Sequence, residues 1–148
     1  MMLKETLELF SHRYTQMKTN KFKCKEITEK IIKCFYEVYN ELGYGFLESV
    51  YEQALAIVLK GYGLYVERQK EILVHFRGGV IGKFRADLVV NKKVIVEIKA
   101  VANIIPAHEA QLINYLRSTN IEVGLLLNFG EKPQFKRFIY DNIRKNLC

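Results

Sequence analysis

Residues 84–100 read FRADLVVNKKVIVEIKA, and the fold turns on how the two apolar runs in this stretch pair. Val94–Lys99 alternates as a strand does, so Ile95, Glu97 and Lys99 point to one face. Ile81–Val90 is a second period-two segment, and the short link at Asn91-Lys92 makes the two antiparallel neighbours. Asp87 then lies one strand away from Glu97, and register decides whether the carboxylates meet. A two-residue loop would pair Val90 with Lys93 and set Asp87 opposite Val96. A three-residue loop or a bulge at 91–93 puts Asp87 beside Glu97. Paired carboxylates destabilise a sheet unless something compensates. Oxygen ligands with open positions for water and phosphate suit Mg²⁺.

Working outward, Glu71–Phe76 is another period-two segment, joined to Ile81–Val90 through a Gly78-Gly79 hairpin, so three strands form an antiparallel meander. Pro106 suits the first turn of a helix that runs to about Arg117. Ile121–Asn128 is apolar throughout, like a strand buried on both faces. Reaching it through a helix implies a crossover and parallel pairing. Upstream, Ile27, Ile31, Phe35, Val38 and Leu42 recur at helical spacing from Glu26 onward. A first GYG at 43–45 stops that helix. A second helix, about Leu47–Lys60, turns Val50, Tyr51, Ala54, Leu55 and Val58 inward and ends at a second GYG, 61–63. The tail PQFKRFIYDNIRKN (133–146) reads as strand or helix.

The expected architecture is a mixed α/β (α+β) sheet of four or more strands, with a meander, one parallel crossover strand and flanking helices. Residues 25–148 form one domain, and residues 1–24 read as a peripheral extension, a short helix then a basic linker. The 148 residues suffice for a core without disulfides or metals. No apolar run approaches a membrane span, and the N-terminus lacks a signal-peptide core. Cys24, Cys34 and Cys148 form no CxxC, as expected of free thiols in a reducing cytoplasm. His12, His75 and His108 have no zinc-ligand spacing. The net charge of +7 is compatible with a polyanionic partner.

Glu48 falls in the first turn of the second helix, where an acid also suits the helix dipole. His108, Gln111 and Tyr115 share a face of the 107–117 helix, while Leu112, Ile113 and Leu116 serve the core. Neither GYG follows a strand and opens a helix as a dinucleotide fingerprint requires. No P-loop, nucleophile elbow or serine or cysteine triad is present.

Asp87 followed by Glu97-Ile98-Lys99 resembles the D…ExK core of the PD-(D/E)XK nuclease superfamily. QLINY (111–115) resembles the QxxxY element of its RecB-like branch. ELGYGFLESVYEQAL (41–55), FRADLVV (84–90), VIVEIKA (94–100), AHEAQLINYL (107–116) and GLLLNFG (124–130) together resemble the small GxxExxxB proteins of prokaryotes, with Gly45 to Glu48 as the GxxE. The resemblance spans about residues 26–139. Ala86 stands where the superfamily has proline, and Tyr39 where relatives commonly have histidine.

The resemblance implies a restriction-endonuclease-like core and a metal-dependent phosphodiesterase. Asp87, Glu97 and the backbone carbonyl of Ile98 would bind Mg²⁺, with Mn²⁺ as substitute, and Glu48 would complete the cluster through water. Lys99 would orient the attacking water, and Gln111 and Tyr115 would position ligands or the nucleic-acid backbone. Arg85, two residues before Asp87, would touch phosphate or form a structural ion pair. The partner is nucleic acid, with DNA favoured over RNA, and no membrane. A homodimer or larger complex would add the surface that a chain this small lacks. Two rival readings are a non-catalytic nucleic-acid-binding module on the same fold and an interaction subunit of a larger assembly. Retention of Glu48, Asp87, Glu97, Lys99, Gln111 and Tyr115 together argues against a decayed site.

Overall fold

The structure, a computed structural model, describes residues 24–145. The helix and basic linker expected over the first residues lie outside the described residues. Helix α1 (Lys25–Leu42) and helix α2 (Glu48–Gly61) lead into strands β1 (Val66–Phe76), β2 (Gly79–Val90) and β3 (Val94–Lys99). Helix α3 (Pro106–Arg117), strands β4 (Val123–Phe129) and β5 (Pro133–Ile139) and a 3-10 turn (Asn142–Arg144) follow.

The five strands form one sheet in sequence order, β1-β2-β3-β4-β5. The first three make the antiparallel meander, β3 and β4 are parallel, and β5 returns antiparallel to β4. A parallel pair needs a crossover, which α3 supplies. Every residue of β4 is buried, as its unbroken apolar run requires of a strand covered on both faces.

The sheet separates two cores. On one side α1 and α2 pack Ile31, Phe35, Tyr51, Leu55 and Leu59 against Leu88, Val96 and Leu125. Tyr51 stacks on Phe129 at 4.2 Å between centroids, and Phe35 meets Phe129 edge-on at 4.7 Å. On the other side α3 packs Leu112, Tyr115 and Leu116 against Ile72, Ala86, Ile95 and Leu126. Cys34 is buried and its thiol is pushed up to about 11, chiefly by burial, so it behaves as an inert core group.

The tail resolves as the edge strand β5. The β1–β2 hairpin turns at Arg77-Gly78, one residue earlier than Gly78-Gly79. Both turn residues have positive φ, 47° and 82°, as a type I′ turn demands. Helix α2 is rotated from its expected setting: Val50 is exposed, while Glu52, Ala56 and Leu59 are buried. Among the described residues, no helix is long and apolar enough to cross a membrane.

Candidate active site

The β2–β3 register is Val90↔Val94, Val89↔Ile95 and Leu88↔Val96. The link is therefore the three-residue loop Asn91-Lys92-Lys93, whose first two residues adopt positive φ, 52° and 56°. The next positions along this register are Asp87 and Glu97, so the loop sets the two carboxylates beside each other.

At that point the backbone ladder stops and side chains take over its hydrogen bonds. The Asp87 N–H donates to Glu97 Oε1 at 3.1 Å, and the Ile98 N–H donates to Asp87 Oδ2 at 2.8 Å. Each carboxylate thus satisfies an amide that a longer strand pair would have used. Facing changes here too. Leu88 and Val90 belong to the core under α1 and α2, whereas Ala86 belongs to the core under α3. Residues of equal parity should share a face, so β2 twists at Asp87. Gln69, opposite Asp87 in the β1–β2 register, has φ +51° and is missing from that ladder. The distortion involves both strands.

Gln69 is a member of the site that the sequence did not disclose. Its amide Nε2 donates to Glu52 Oε1 and lies 3.4 Å from Asp87 Oδ1. Glu52 is the second such residue, 5 % exposed on α2, and Arg68 pairs with its Oε2 at 2.9 Å. Glu48, one helical turn before it, is exposed, and its charge acts on Asp87 less strongly than that of Glu52. A signal for Glu52 was present, since residues four apart on a helix share a face. No local signal marked Gln69.

Glu97 is 3 % exposed. Burial, reinforced by the charge of Asp87, pushes its carboxyl up to about 8. Asp87 is also raised, first by burial and then by Glu52 and Glu48, against the lowering effect of its bond from Ile98. Among the described residues, ion pairs engage acids such as Glu29, Glu52, Glu67, Glu71 and Glu109 but neither Asp87 nor Glu97, whose carboxyls feel the Lys99 charge without a direct pair. Two desolvated carboxylates without a paired cation are a fitting donor set for a hard divalent ion. They do not form a closed cage: among the described residues, no group of three His, Cys, Asp or Glu side chains converges as metal ligands.

Lys99 ends β3 half-buried, and its Nζ donates to Gln111 Oε1 at 3.3 Å. Gln111 Nε2 in turn donates to the Tyr115 hydroxyl at 2.9 Å. Tyr115 is buried rather than on a polar surface stripe, packed against Phe84 at 5.0 Å, and its phenol is raised by burial and by Glu97. His108 does not join them. Its Nδ1 accepts the Ile105 N–H at 3.2 Å and caps α3.

Arg85 is exposed opposite Glu71 on β1. Tyr39 hydrogen-bonds to backbone carbonyls. Its hydroxyl lies 2.9 Å from the Gly130 carbonyl and 2.6 Å from that of Glu131, bracing the β4–β5 turn. Beyond Lys99 the chain is held by Asn128, fully buried. Asn128 Oδ1 accepts the Val101 N–H at 3.0 Å and its Nδ2 donates to the Val101 carbonyl at 2.9 Å.

Residues 25–138 match the family model of the PD-(D/E)XK nuclease superfamily. Among solved structures, the chain is similar to the one titled "Crystal structure of SSO0001". The TM-score is 0.53 and the identity 25 %, over 64 % of this chain and 50 % of that one. The likeness thus spans half the length of that protein. No curated protein matches the chain.

Proposed function

Because the chain belongs to the PD-(D/E)XK nuclease superfamily, we propose that it is a Mg²⁺-dependent nuclease hydrolysing nucleic-acid phosphodiester bonds at Asp87, Glu97 and Lys99. Within the superfamily it fits the GxxExxxB proteins through Gly45 and Glu48, and the RecB-like branch through Gln111 and Tyr115. DNA is the favoured substrate over RNA, and the cytoplasm the favoured compartment. The observation that carries the reading is the forked end of β2 and β3. There two desolvated carboxylates hold each other's strands, and among the described residues neither is in an ion pair, though the charge of Lys99 acts on both.

Asp87, Glu97 and the Ile98 carbonyl would hold the metal, with Glu48 reaching it through water. When bound, such an ion supplies Lewis acidity and a more acidic bound water. The chain's own groups do the rest. Lys99 brings a fixed positive charge to the site, where it orients the attacking water and stabilises charge developing on the phosphate. Gln111 fixes that ammonium by accepting from it, and Tyr115 fixes Gln111. Glu52 and Gln69 hold Asp87 in the twisted strand.

Single- and double-stranded DNA and RNA incubated with purified protein and Mn²⁺ provide the test. Wild type should cleave at least one of them, and a folded Lys99→Ala variant should not. Binding without cleavage by wild type, under every metal tried, would instead support the non-catalytic module.

A further inference from the structure

We infer that the loop Tyr44–Leu47 is a base-stacking platform and that the site therefore takes single-stranded nucleic acid. This rests on the nuclease reading and narrows its substrate. The loop presents three large apolar side chains to water: Tyr44 is 61 % exposed, Phe46 48 % and Leu47 78 %. Contiguous exposed apolar groups mark an interaction surface more often than chance exposure does.

This surface is built, not frayed. Gly43 and Gly45 take φ of +70° and +110°, conformations that side chains rarely adopt. The fully buried Tyr51 then clamps the loop: its hydroxyl donates to the Gly43 carbonyl at 2.7 Å and accepts the Phe46 N–H at 3.2 Å. The Phe46 ring stands at 78° to that of Tyr51, 6.0 Å between centroids, and Tyr51 stacks on Phe129 in the core. A run of rings anchored in the core thus holds Phe46 while nearly half of it faces water. A rigid, solvent-facing aromatic loses little entropy when a base stacks on it.

Position identifies the occupant. Leu47 caps α2, and the next residue is Glu48, whose charge is felt at Asp87. On β2 the exposed Arg85 stands two residues before Asp87. The loop thus leads directly into the helix that carries Glu48 and Glu52, and its rings and the Arg85 guanidinium offer contacts for the two halves of a single strand, bases and phosphates. Stacking on aromatic side chains is tolerant of sequence and takes bases whose faces are free. In a duplex those faces are already stacked on neighbours.

The test is binding of a fluorescent 20-nucleotide single strand and of the matching duplex, in Ca²⁺, by anisotropy at fixed salt. Wild type should prefer the single strand. Tyr44→Ala/Phe46→Ala should weaken single-strand binding tenfold or more and leave duplex binding unchanged, while Tyr44→Phe/Phe46→Tyr keeps wild-type affinity. Thermal unfolding and gel filtration of each variant accompany the titrations. An equal loss on both substrates, or none, overturns the inference while the nuclease reading stands. Normal binding with lost self-association assigns the loop to a second copy of the chain and also overturns it. If wild type binds neither nucleic acid, the nuclease reading itself fails.

Discussion

Lys99 on β3 and Gln111 on α3 meet across the loop that joins their elements, Nζ donating to Oε1 at 3.3 Å. Gln111 is committed in turn to Tyr115, so the amide cannot flip without losing one of two hydrogen bonds. The lysine is thus placed by a helix packed on the opposite core from Glu52 and α2.

Separate effects follow for charge and placement. Lys99→Ala should lower kcat by about 10²–10³-fold, as for loss of a group that stabilises transition-state charge. Gln111→Leu keeps the ammonium but releases it, and should lower kcat by about tenfold with the lysine still present. Single-turnover cleavage of both variants measures the difference; equal losses would mean that Gln111 does more than position Lys99.

Metal binding should appear in stability. Mg²⁺ or Mn²⁺ at one hundred times its Kd should stabilise wild type by about 2.7 kcal/mol. Asp87→Ala should abolish the shift in thermal unfolding. An unchanged melting temperature in wild type would count against the site.

Metal-free stability should depend on pH through Glu97, whose folded-state carboxyl is raised from 4.5 to about 8. The folded form binds the proton more tightly than the unfolded form. Its contribution is therefore fully present below about pH 4.5 and is lost as pH rises through about 8. Glu97→Gln should flatten this decline between pH 5 and 9, and added Mg²⁺ should oppose it in wild type. Denaturant unfolding across that range reads both effects.

The end of β3 should depend on Asn128. Asn128→Ala leaves the Val101 N–H and carbonyl without their partner, at a cost of about 2 kcal/mol. Gly130→Ala strains the same place, because its Cβ would lie 2.5 Å from the Val101 carbonyl oxygen. Urea unfolding should show both losses, with Lys99-dependent cleavage falling as the chain after β3 loosens.

Much of this was legible residue by residue. Alternation in VIVEIK gives β3 its observed bounds, Pro106 starts α3, and the apolar run read at 121–128 is the strand buried on both faces, observed two residues later at its start and one later at its end. The inward face of α2 was less legible. Tyr51 and Leu55 are in the core as expected, but Glu52 is buried in place of Val50. Hydropathy sends a carboxylate outward; only Arg68 and Gln69, from a strand reached after α2 has ended, make its burial tolerable.

Sequence reading alone yields the order of elements up to β4, the meander, the crossover and the presence of Asp87, Glu97 and Lys99 on adjoining strands; it leaves β5 open between strand and helix. These follow from periodicity and link length, which are local. The tertiary structure alone decided that the 91–93 loop spans three residues, that β2 twists at Asp87 opposite the left-handed Gln69, and that Glu52 and Tyr115 close on the site from opposite sides of the sheet. The physical reason is competition for hydrogen bonds. Whether the Asp87 and Ile98 amides bond to a backbone or to a carboxylate depends on which strands, helices and charges have already packed around them.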